Sequence, residues 1–264
     1  MMEVIGNTIG EMFKTIERAI QCELHGEQIE RGYGNGKIWS GCLECDKIKS
    51  LQKQKDEMDK EYADHFKGVG IPAMYEFKTF KDWTVSGAGQ AKVINRLMDY
   101  ADELSKPKTA KNLVLYGVTG SGKTLLAAIL LNQIVRAEFS RQPSWNFKFV
   151  TSGGFIAEIK DTWNSWSNET ESQVINRYGN CAILVLDELG VKDGAKGDQD
   201  YLTKLLDMRY GRNMPTIITT NLAGREAVEA MLGDRAYDRI NQKSIWASCV
   251  WGSYRKHTAQ TEDL

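Results

Sequence analysis

The stretch that decides the fold is Gly117-Val118-Thr119-Gly120-Ser121-Gly122-Lys123-Thr124. It matches the phosphate-binding template G-x-x-x-x-G-K-[ST], whose false-positive risk means that the flanking sequence must support it. The apolar run at residues 112–116 predicts a buried strand directly before the loop, and residues 125–131 predict a helix directly after it. Because strand, glycine-rich loop and helix follow in the required order, the sequence predicts a nucleotide-binding P-loop. The alternative is a glycine-rich turn before an ordinary helix.

The residue types of the loop explain how it would hold a nucleotide. Its glycines allow backbone N–H groups to face a phosphate without clashes from Cβ atoms. The N-terminus of the following helix adds a favourable dipole. Lys123 would reach the β- and γ-phosphates, and the Thr124 hydroxyl would bind Mg²⁺. We therefore expect ATP and Mg²⁺ as cofactors, bound by Gly117, Val118, Thr119, Gly120, Ser121, Gly122, Lys123 and Thr124.

Length and charge limit the classes of protein. The 264 residues allow one large domain, or one domain and a small module. The formal net charge of −1 argues against a surface coated with basic residues, so contact with nucleic acid would need a local patch. No apolar run approaches the length of a membrane span, and charged residues interrupt the first twenty positions, which argues against a signal peptide. We expect a cytoplasmic protein that does not interact with membranes.

Four potential metal ligands form two short-spaced pairs near the N-terminus, Cys22-x2-His25 and Cys42-x2-Cys45. The sequence Gly34-Asn35-Gly36 between them predicts a hairpin turn. Two such pairs can converge tetrahedrally on Zn²⁺, and a complete set of four protein ligands is typical of a structural zinc site. The alternative is reduced surface thiols beside a coincidental histidine. An odd total of five cysteines argues against a disulfide framework.

The remaining sequence predicts two parts. Apolar residues at helical spacing predict an amphipathic helix over residues 5–20, which would pack on its own module or on a partner. Residues 46–66 predict a connecting helix, which the glycines and proline of residues 68–72 would end. We assign residues 1–66 to a zinc-binding module with its connecting helix. Residues 67–264 are assigned to an α/β domain with a central, mostly parallel sheet.

A second motif supports the nucleotide site. The apolar run at residues 181–186 predicts a buried strand, and it ends in Asp187-Glu188. Asp187 would bind Mg²⁺, and Glu188 would act as general base on the attacking water. A third predicted strand ends in Asn221, which would orient the water or contact the γ-phosphate. The alternatives are an acidic loop after a buried strand, and an ordinary turn asparagine.

Together these motifs resemble the AAA+ ATPases. Residues 232–240, with 245–246 and 251–255, are similar to the C-terminal motifs of DnaC-type bacterial and phage replicative helicase loaders. The resemblance covers roughly residues 67–258. It implies that Lys123 and Thr124 belong to the Walker A motif and that Asp187 and Glu188 form Walker B. Asn221 would be sensor 1, and Arg255 would be a sensor 2 arginine. Arg239 would be an arginine finger that acts on a neighbour's ATP, with Arg235 the less favoured candidate.

The resemblance also implies partners. Loaders of this type bind single-stranded DNA through the segment before Walker B, where Trp163 matches an aromatic position and would stack on a base. The alternative for Trp163 is a core tryptophan on a helix. We expect an ATP-dependent loader of the hexameric replicative helicase, which self-associates through its AAA+ domains and holds the helicase through the zinc module. The alternatives are an IstB-type transposition helper, an ATP-switched binding module with little turnover and, least favoured, a zinc-dependent DNA-binding protein.

Overall fold

The structure is a computed structural model that describes residues 16–33, 37–104, 111–138, 146–190 and 196–254. The chain divides into two compact units, Met1–Asp64 and His65–Leu264. Our boundary between residues 66 and 67 lies close to this division, and the functions assigned to the two parts stay predictions. Among the described helices, none combines the length and the apolar composition needed to cross a membrane.

The first unit contains a small antiparallel sheet. Strands β1 (Ile16–Cys22), β2 (Gly26–Tyr33) and β3 (Ile38–Trp39) lie in that order, and α1 (Leu43–Lys67) begins shortly after β3. The helix predicted over residues 5–20 is wrong for residues 16–20, because these residues pair with β2. Residues 1–15 and the predicted turn at residues 34–36 lie outside the described residues. Helix α1 confirms the connecting helix.

The second unit is built on a five-stranded sheet. Its strands are β4 (Asn112–Gly117), β5 (Phe147–Thr151), β6 (Ile183–Leu189), β7 (Thr216–Thr220) and β8 (Ser244–Cys249), and their order is β5-β6-β7-β4-β8. Every pair of neighbours in this sheet is parallel. The structure therefore confirms the predicted α/β class.

Helices cover this sheet. They are α2 (Ala88–Leu104), α3 (Lys123–Glu138), α4 (Ser152–Asp161), α5 (Glu171–Gly179), α6 (Lys196–Gly211), α7 (Arg225–Leu232) and α8 (Asp234–Asn241). Two short 3₁₀ helices, Ala73–Tyr75 and Phe80–Asp82, precede α2. All residues from Leu126 to Leu131 in α3 are fully buried, which explains why this helix is apolar around its whole circumference. Strands buried on both faces likewise explain the continuous apolar runs of β4 and β6.

Arg209 is a buried cation that the sequence analysis missed. The side chain is only 1% exposed, and its guanidinium donates to the carbonyl oxygens of Tyr178 at 2.9 Å and Cys181 at 2.8 Å. It also donates to the Thr216 hydroxyl at 2.9 Å and to the Pro215 carbonyl. Arg209 therefore connects α6 by hydrogen bonds to the segments that precede β6 and β7. The dipoles of the carbonyl groups balance its positive charge.

Candidate functional site

A cavity of about 540 Å³ lies at the carboxyl ends of β4, β6 and β7 in the second unit. This volume is within the usual range for a small-molecule site, and the edge where parallel strands end is the usual place for one. The cavity is lined by the P-loop region, by the ends of β6 and β7, by the two 3₁₀ segments and by the C-terminal segment: Thr119, Gly120, Gly122, Lys123, Thr124, Leu125, Glu188, Thr219, Thr220, Asn221, Met74, Tyr75, Lys78, Asp82 and Tyr254.

Lys123 is the first residue of α3 and is 6% exposed. Its ammonium donates to the carbonyl oxygens of Gly117 at 3.0 Å and Val118 at 2.8 Å. Burial lowers the pKa of Lys123, while the nearby Cys249 and Asp187 oppose this shift. The structure thus places a positive charge and a helix N-terminus on the same cavity, which suits a polyphosphate.

Asp187 faces the start of the same helix. The Thr124 hydroxyl donates to Asp187 Oδ1 at 3.1 Å, and the Thr219 hydroxyl donates to the same oxygen. Burial raises the pKa of Asp187, and these two hydroxyl contacts act in the opposite direction. The hydroxyl of Thr124 and the carboxylate of Asp187 are hard oxygen donors within contact distance, so the donor set fits Mg²⁺.

Glu188 has a left-handed backbone with φ 57°, which is uncommon for a residue other than glycine. Two contacts hold this conformation: its N–H donates to the Thr219 hydroxyl at 3.0 Å, and its carbonyl accepts from the Ser152 hydroxyl at 3.0 Å. The β6–β7 register also shifts here. As a result Asp187 is buried beside Thr124, while the exposed Glu188 still lines the cavity, as does Asn221 at the end of β7.

Two P-loop glycines are required by their surroundings. Gly117 has φ 137°, and a Cβ there would lie 2.4 Å from the Cys249 carbonyl oxygen. Gly122 has φ 88°, and a Cβ there would lie 2.5 Å from the Trp83 ring. Any side chain at either position would strain the backbone and collide with a packed neighbour. Trp83 is a second residue whose importance the sequence analysis missed.

The two arginines of α8 lie away from the described lining of the cavity, which contains no arginine. Both pair with Asp207 of α6: Arg235 through its Nη2, and Arg239 through its Nε at 3.1 Å. The Arg239 guanidinium also lies 4.8 Å from the Tyr210 ring centroid. Arg255 lies outside the described residues.

Trp163 lies in the turn after α4, which ends at Asp161, and its side chain is 60% exposed. The core alternative for this residue is therefore wrong. The indole N–H donates to a Glu171 carboxylate oxygen at 2.6 Å, and the Tyr201 hydroxyl donates to that oxygen at 2.8 Å. The Glu171 carboxylate therefore fixes the edge of the Trp163 ring, and Tyr201 of α6 fixes that carboxylate.

The four predicted metal ligands come together in the first unit. Their ligand atoms all lie within 4.8 Å of one another. The Cys22 and Cys45 sulfurs are 3.6 Å apart, and His25 Nδ1 lies 3.7, 3.6 and 3.4 Å from the sulfurs of Cys22, Cys42 and Cys45. Tetrahedral zinc with its usual bond lengths would separate two sulfurs by about 3.8 Å and a sulfur from a nitrogen by about 3.6 Å. The spacing therefore fits a zinc ion.

The titration of these thiols also suits a cation. Backbone N–H groups of Leu24 and His25 lower the pKa of the Cys22 thiol to about 6. The hydrogen bond with Cys22, together with burial and the nearby Cys42, raises the pKa of the Cys45 thiol to about 11. A second thiolate beside the first is unfavourable by itself, and a divalent cation would remove that penalty.

Comparisons with known proteins agree with this geometry. Residues 54–261 match the protein family described as IstB-like ATP binding protein. The chain is 26% identical to the replicative helicase loader DnaC of Escherichia coli (strain K12) over 216 residues. This alignment covers 81% of this chain and 84% of that protein. These matches confirm the predicted resemblance to DnaC-type proteins.

Solved structures share the fold. The crystal structure of the DnaC helicase loader superposes with a TM-score of 0.58 at 19% identity, covering 67% of this chain and 99% of that one. The crystal structure of DnaI gives a TM-score of 0.54 at 20% identity, with coverage of 70% and 94%. The predicted AAA+ fold is confirmed.

Proposed function

Because the chain belongs to the family of IstB-like ATP-binding proteins, we propose that it is an ATPase that loads the hexameric replicative helicase onto single-stranded DNA. The observation that carries this proposal is the likeness to the replicative helicase loader DnaC over 81% of the chain. That span exceeds what a shared P-loop alone would give. The cavity supports the ATPase part of the proposal, since the buried Lys123, Glu188 and Asn221 line it and its Thr124 contacts Asp187.

Each predicted site residue has a proposed role. Backbone N–H groups of residues 117–122 cradle the phosphates, and Lys123 pairs with the β- and γ-phosphates. Thr124 and Asp187 would hold Mg²⁺, which supplies neutralisation of charge on the phosphate oxygens. Glu188 takes a proton from the attacking water, and Asn221 orients that water. Arg239 and Arg255 would stabilise charge on the transferred phosphoryl group, Arg239 from a neighbouring subunit.

The first unit is proposed to hold Zn²⁺ through Cys22, His25, Cys42 and Cys45, and to contact the helicase. Exposed apolar side chains of the first unit support a partner surface, since Leu24, between Cys22 and His25, is 81% exposed and Ile38 of β3 is 68% exposed. In the second unit, the exposed ring of Trp163 offers its faces to a base while Glu171 holds its edge.

The family description also favours a second function. IstB-type helpers share the P-loop core, and a chain of that kind would act on a transposase. The likeness to DnaC favours the loader, and the cysteine-rich first unit is an added feature that the helper function does not require. The partner that binds the intact chain distinguishes the two.

We expect the full chain to form a defined complex with the host's hexameric replicative helicase when the two are mixed and measured by native mass spectrometry, with ATP, with ADP and without nucleotide. Leu24→Glu is expected to weaken this complex at least tenfold, because a charge would enter the apolar contact. Glu23→Gln, its neighbour, is the matched control and should bind normally. No complex under any nucleotide condition would exclude the loader, and a transposase would be the next bait.

Glu188→Gln is expected to lower steady-state ATP hydrolysis by about 10²–10⁴-fold while the Kd for ATP stays within a few-fold, because the amide cannot accept the proton. Calorimetry for binding and phosphate release for turnover measure the two effects. Glu226→Gln, at an exposed position of α7, is the control. A wild-type chain that binds ATP but shows turnover as slow as Glu188→Gln would instead be an ATP-switched binding module.

A further inference from the structure

We propose that three aromatic residues, Trp83, Trp251 and Tyr254, act as positioning residues for the P-loop and thereby set its affinity for nucleotides that carry a β-phosphate. We call this group the aromatic brace. The inference rests on the proposed ATP site and adds three residues to which that proposal assigns no role. Of the three, Tyr254 lines the cavity, whereas Trp83 and Trp251 do not.

The brace contacts three consecutive residues of the loop. The Tyr254 backbone N–H donates to the Gly120 carbonyl at 2.8 Å, and the Trp251 indole N–H donates to the Ser121 carbonyl at 2.9 Å. The Trp83 ring packs against Gly122 so closely that a Cβ there would lie 2.5 Å from it. The brace therefore contacts each of the three residues Gly120, Ser121 and Gly122.

Holding these carbonyls determines where the amides point. In a trans peptide the C=O and N–H groups point in opposite directions. Fixing the Gly120 carbonyl therefore orients the N–H of Ser121, and fixing the Ser121 carbonyl orients the N–H of Gly122. The Ser121 N–H meets the Val118 carbonyl only at 3.4 Å, which is long for a hydrogen bond. Both amides are thus turned away from the brace, as a phosphate cradle requires.

The brace is itself rigidly assembled from distant parts of the chain. The Trp83 and Tyr254 rings stack with centroids 4.2 Å apart and an interplanar angle of 14°. The rings of Trp251 and Trp83 lie edge to face, with their centroids 6.5 Å apart and an interplanar angle of 76°. The Tyr254 hydroxyl accepts from the Thr84 N–H at 3.2 Å, which ties the C-terminal segment to the segment that carries Trp83.

The ring of Trp83, and not its N–H group, makes these contacts. Trp83 is 5% exposed, and its indole nitrogen has no hydrogen-bond partner among the described residues. A buried polar group without a partner is unfavourable, so Trp83 stabilises the brace through the stacking surface of its ring. Phenylalanine would keep most of that surface, which gives a conservative variant with which to test the role.

The test measures binding of ATP, ADP and AMP to the full zinc-loaded chain by calorimetry. Trp83→Leu is expected to raise the Kd for ATP and ADP at least tenfold and to leave AMP binding unchanged, because the P-loop amides act on the β-phosphate. Trp83→Phe should restore the Kd to within about threefold of wild type. Trp166→Leu, at a tryptophan that is 90% exposed and does not line the cavity, is the matched control and should bind as wild type.

Trp251→Phe is a second, milder variant in case Trp83→Leu does not fold, which circular dichroism would reveal. It keeps a ring but removes the donor to Ser121, and we expect a three- to tenfold rise in the Kd for ADP. Wild-type affinity for ADP in the folded variants, or no rescue by Trp83→Phe, would overturn the inference while leaving the proposed ATP site intact. A wild-type chain that binds neither ATP nor ADP would overturn both.

Discussion

Replacing Arg239 by alanine is expected to lower ATP hydrolysis by about 10³-fold or more, the usual effect of losing an arginine finger. Arg235→Ala is the matched control, because both arginines lie on α8 and both pair with Asp207. Arg235 is exposed, whereas Arg239 and Asp207 are half-buried. Ion pairs near the surface contribute only about 0–1 kcal/mol, so neither change should shift the midpoint of thermal unfolding greatly. Phosphate release at several protein concentrations, together with thermal melts, measures both properties.

Mixing two inactive variants tests whether Arg239 acts on a neighbour. Arg239→Ala keeps an intact Glu188, and Glu188→Gln keeps an intact Arg239. If the arginine acts between subunits, mixed assemblies contain interfaces with both groups, and hydrolysis should partly recover. If it acts within its own subunit, the mixture should stay inactive. Unchanged hydrolysis in Arg239→Ala alone would refute the assignment and return Arg239 to the role of a surface partner of Asp207.

Removing the metal from the first unit is the second large effect that we expect. Binding of a structural zinc ion contributes on the order of 10 kcal/mol to folding. The small sheet of β1, β2 and β3 has little core to replace that contribution. A strong chelator, or Cys45→Ser, should therefore remove the zinc and abolish hydrogen-exchange protection over residues 16–33. Protection over residues 111–138 of the second unit should remain.

Cys249→Ala supplies the control, because this buried thiol lies in the second unit and takes no part in the metal cluster. It should keep one zinc ion per chain by mass spectrometry of the metal. Wild-type protein that carries no metal and is equally protected before and after chelation would disprove the zinc site, and the cluster would then be three reduced thiols and a histidine in contact.

Contiguous signals made much of the second unit predictable. In each of three motifs, the functional residues lie within a few residues of the apolar run that predicts a strand. These motifs are the P-loop, the run that ends in Asp187-Glu188 and the strand before Asn221. Parallel strands that end at one edge then bring these groups together. The ligand pairs Cys22-x2-His25 and Cys42-x2-Cys45 were predictable for the same reason, because each pair spans only four residues.

The first strand was not predictable, although its partner β2 follows it directly, because its packed face is not apolar. Arg18 in β1 ion-pairs with the buried Glu30 of β2, and its guanidinium lies 3.8 Å from the Trp39 ring centroid in β3. Without apolar alternation, the isoleucines at residues 16 and 20 match a helical spacing instead.

Trp83 and Arg209 illustrate the same limit in the second unit. Trp83 meets the P-loop 39 residues later in the chain and Tyr254 at the end of the described residues, and no local pattern indicates either contact. Arg209 resembles a surface residue of a helix in the sequence, because charged side chains are rarely buried. Its role follows only from the two separate segments, residues 178–181 and Pro215, whose carbonyl groups it meets.

The strand order β5-β6-β7-β4-β8 also governs how the protein is made. Strand β4 is synthesised first of the five, yet its neighbours β7 and β8 begin only at Thr216 and Ser244, more than a hundred residues after Asn112. Until then its apolar residues Leu113, Val114 and Leu115 form an unpaired edge that is prone to association with other chains. We therefore expect the nucleotide site to assemble only after β8 and the segment up to Tyr254 have been synthesised, so that translation and folding of this unit are completed late.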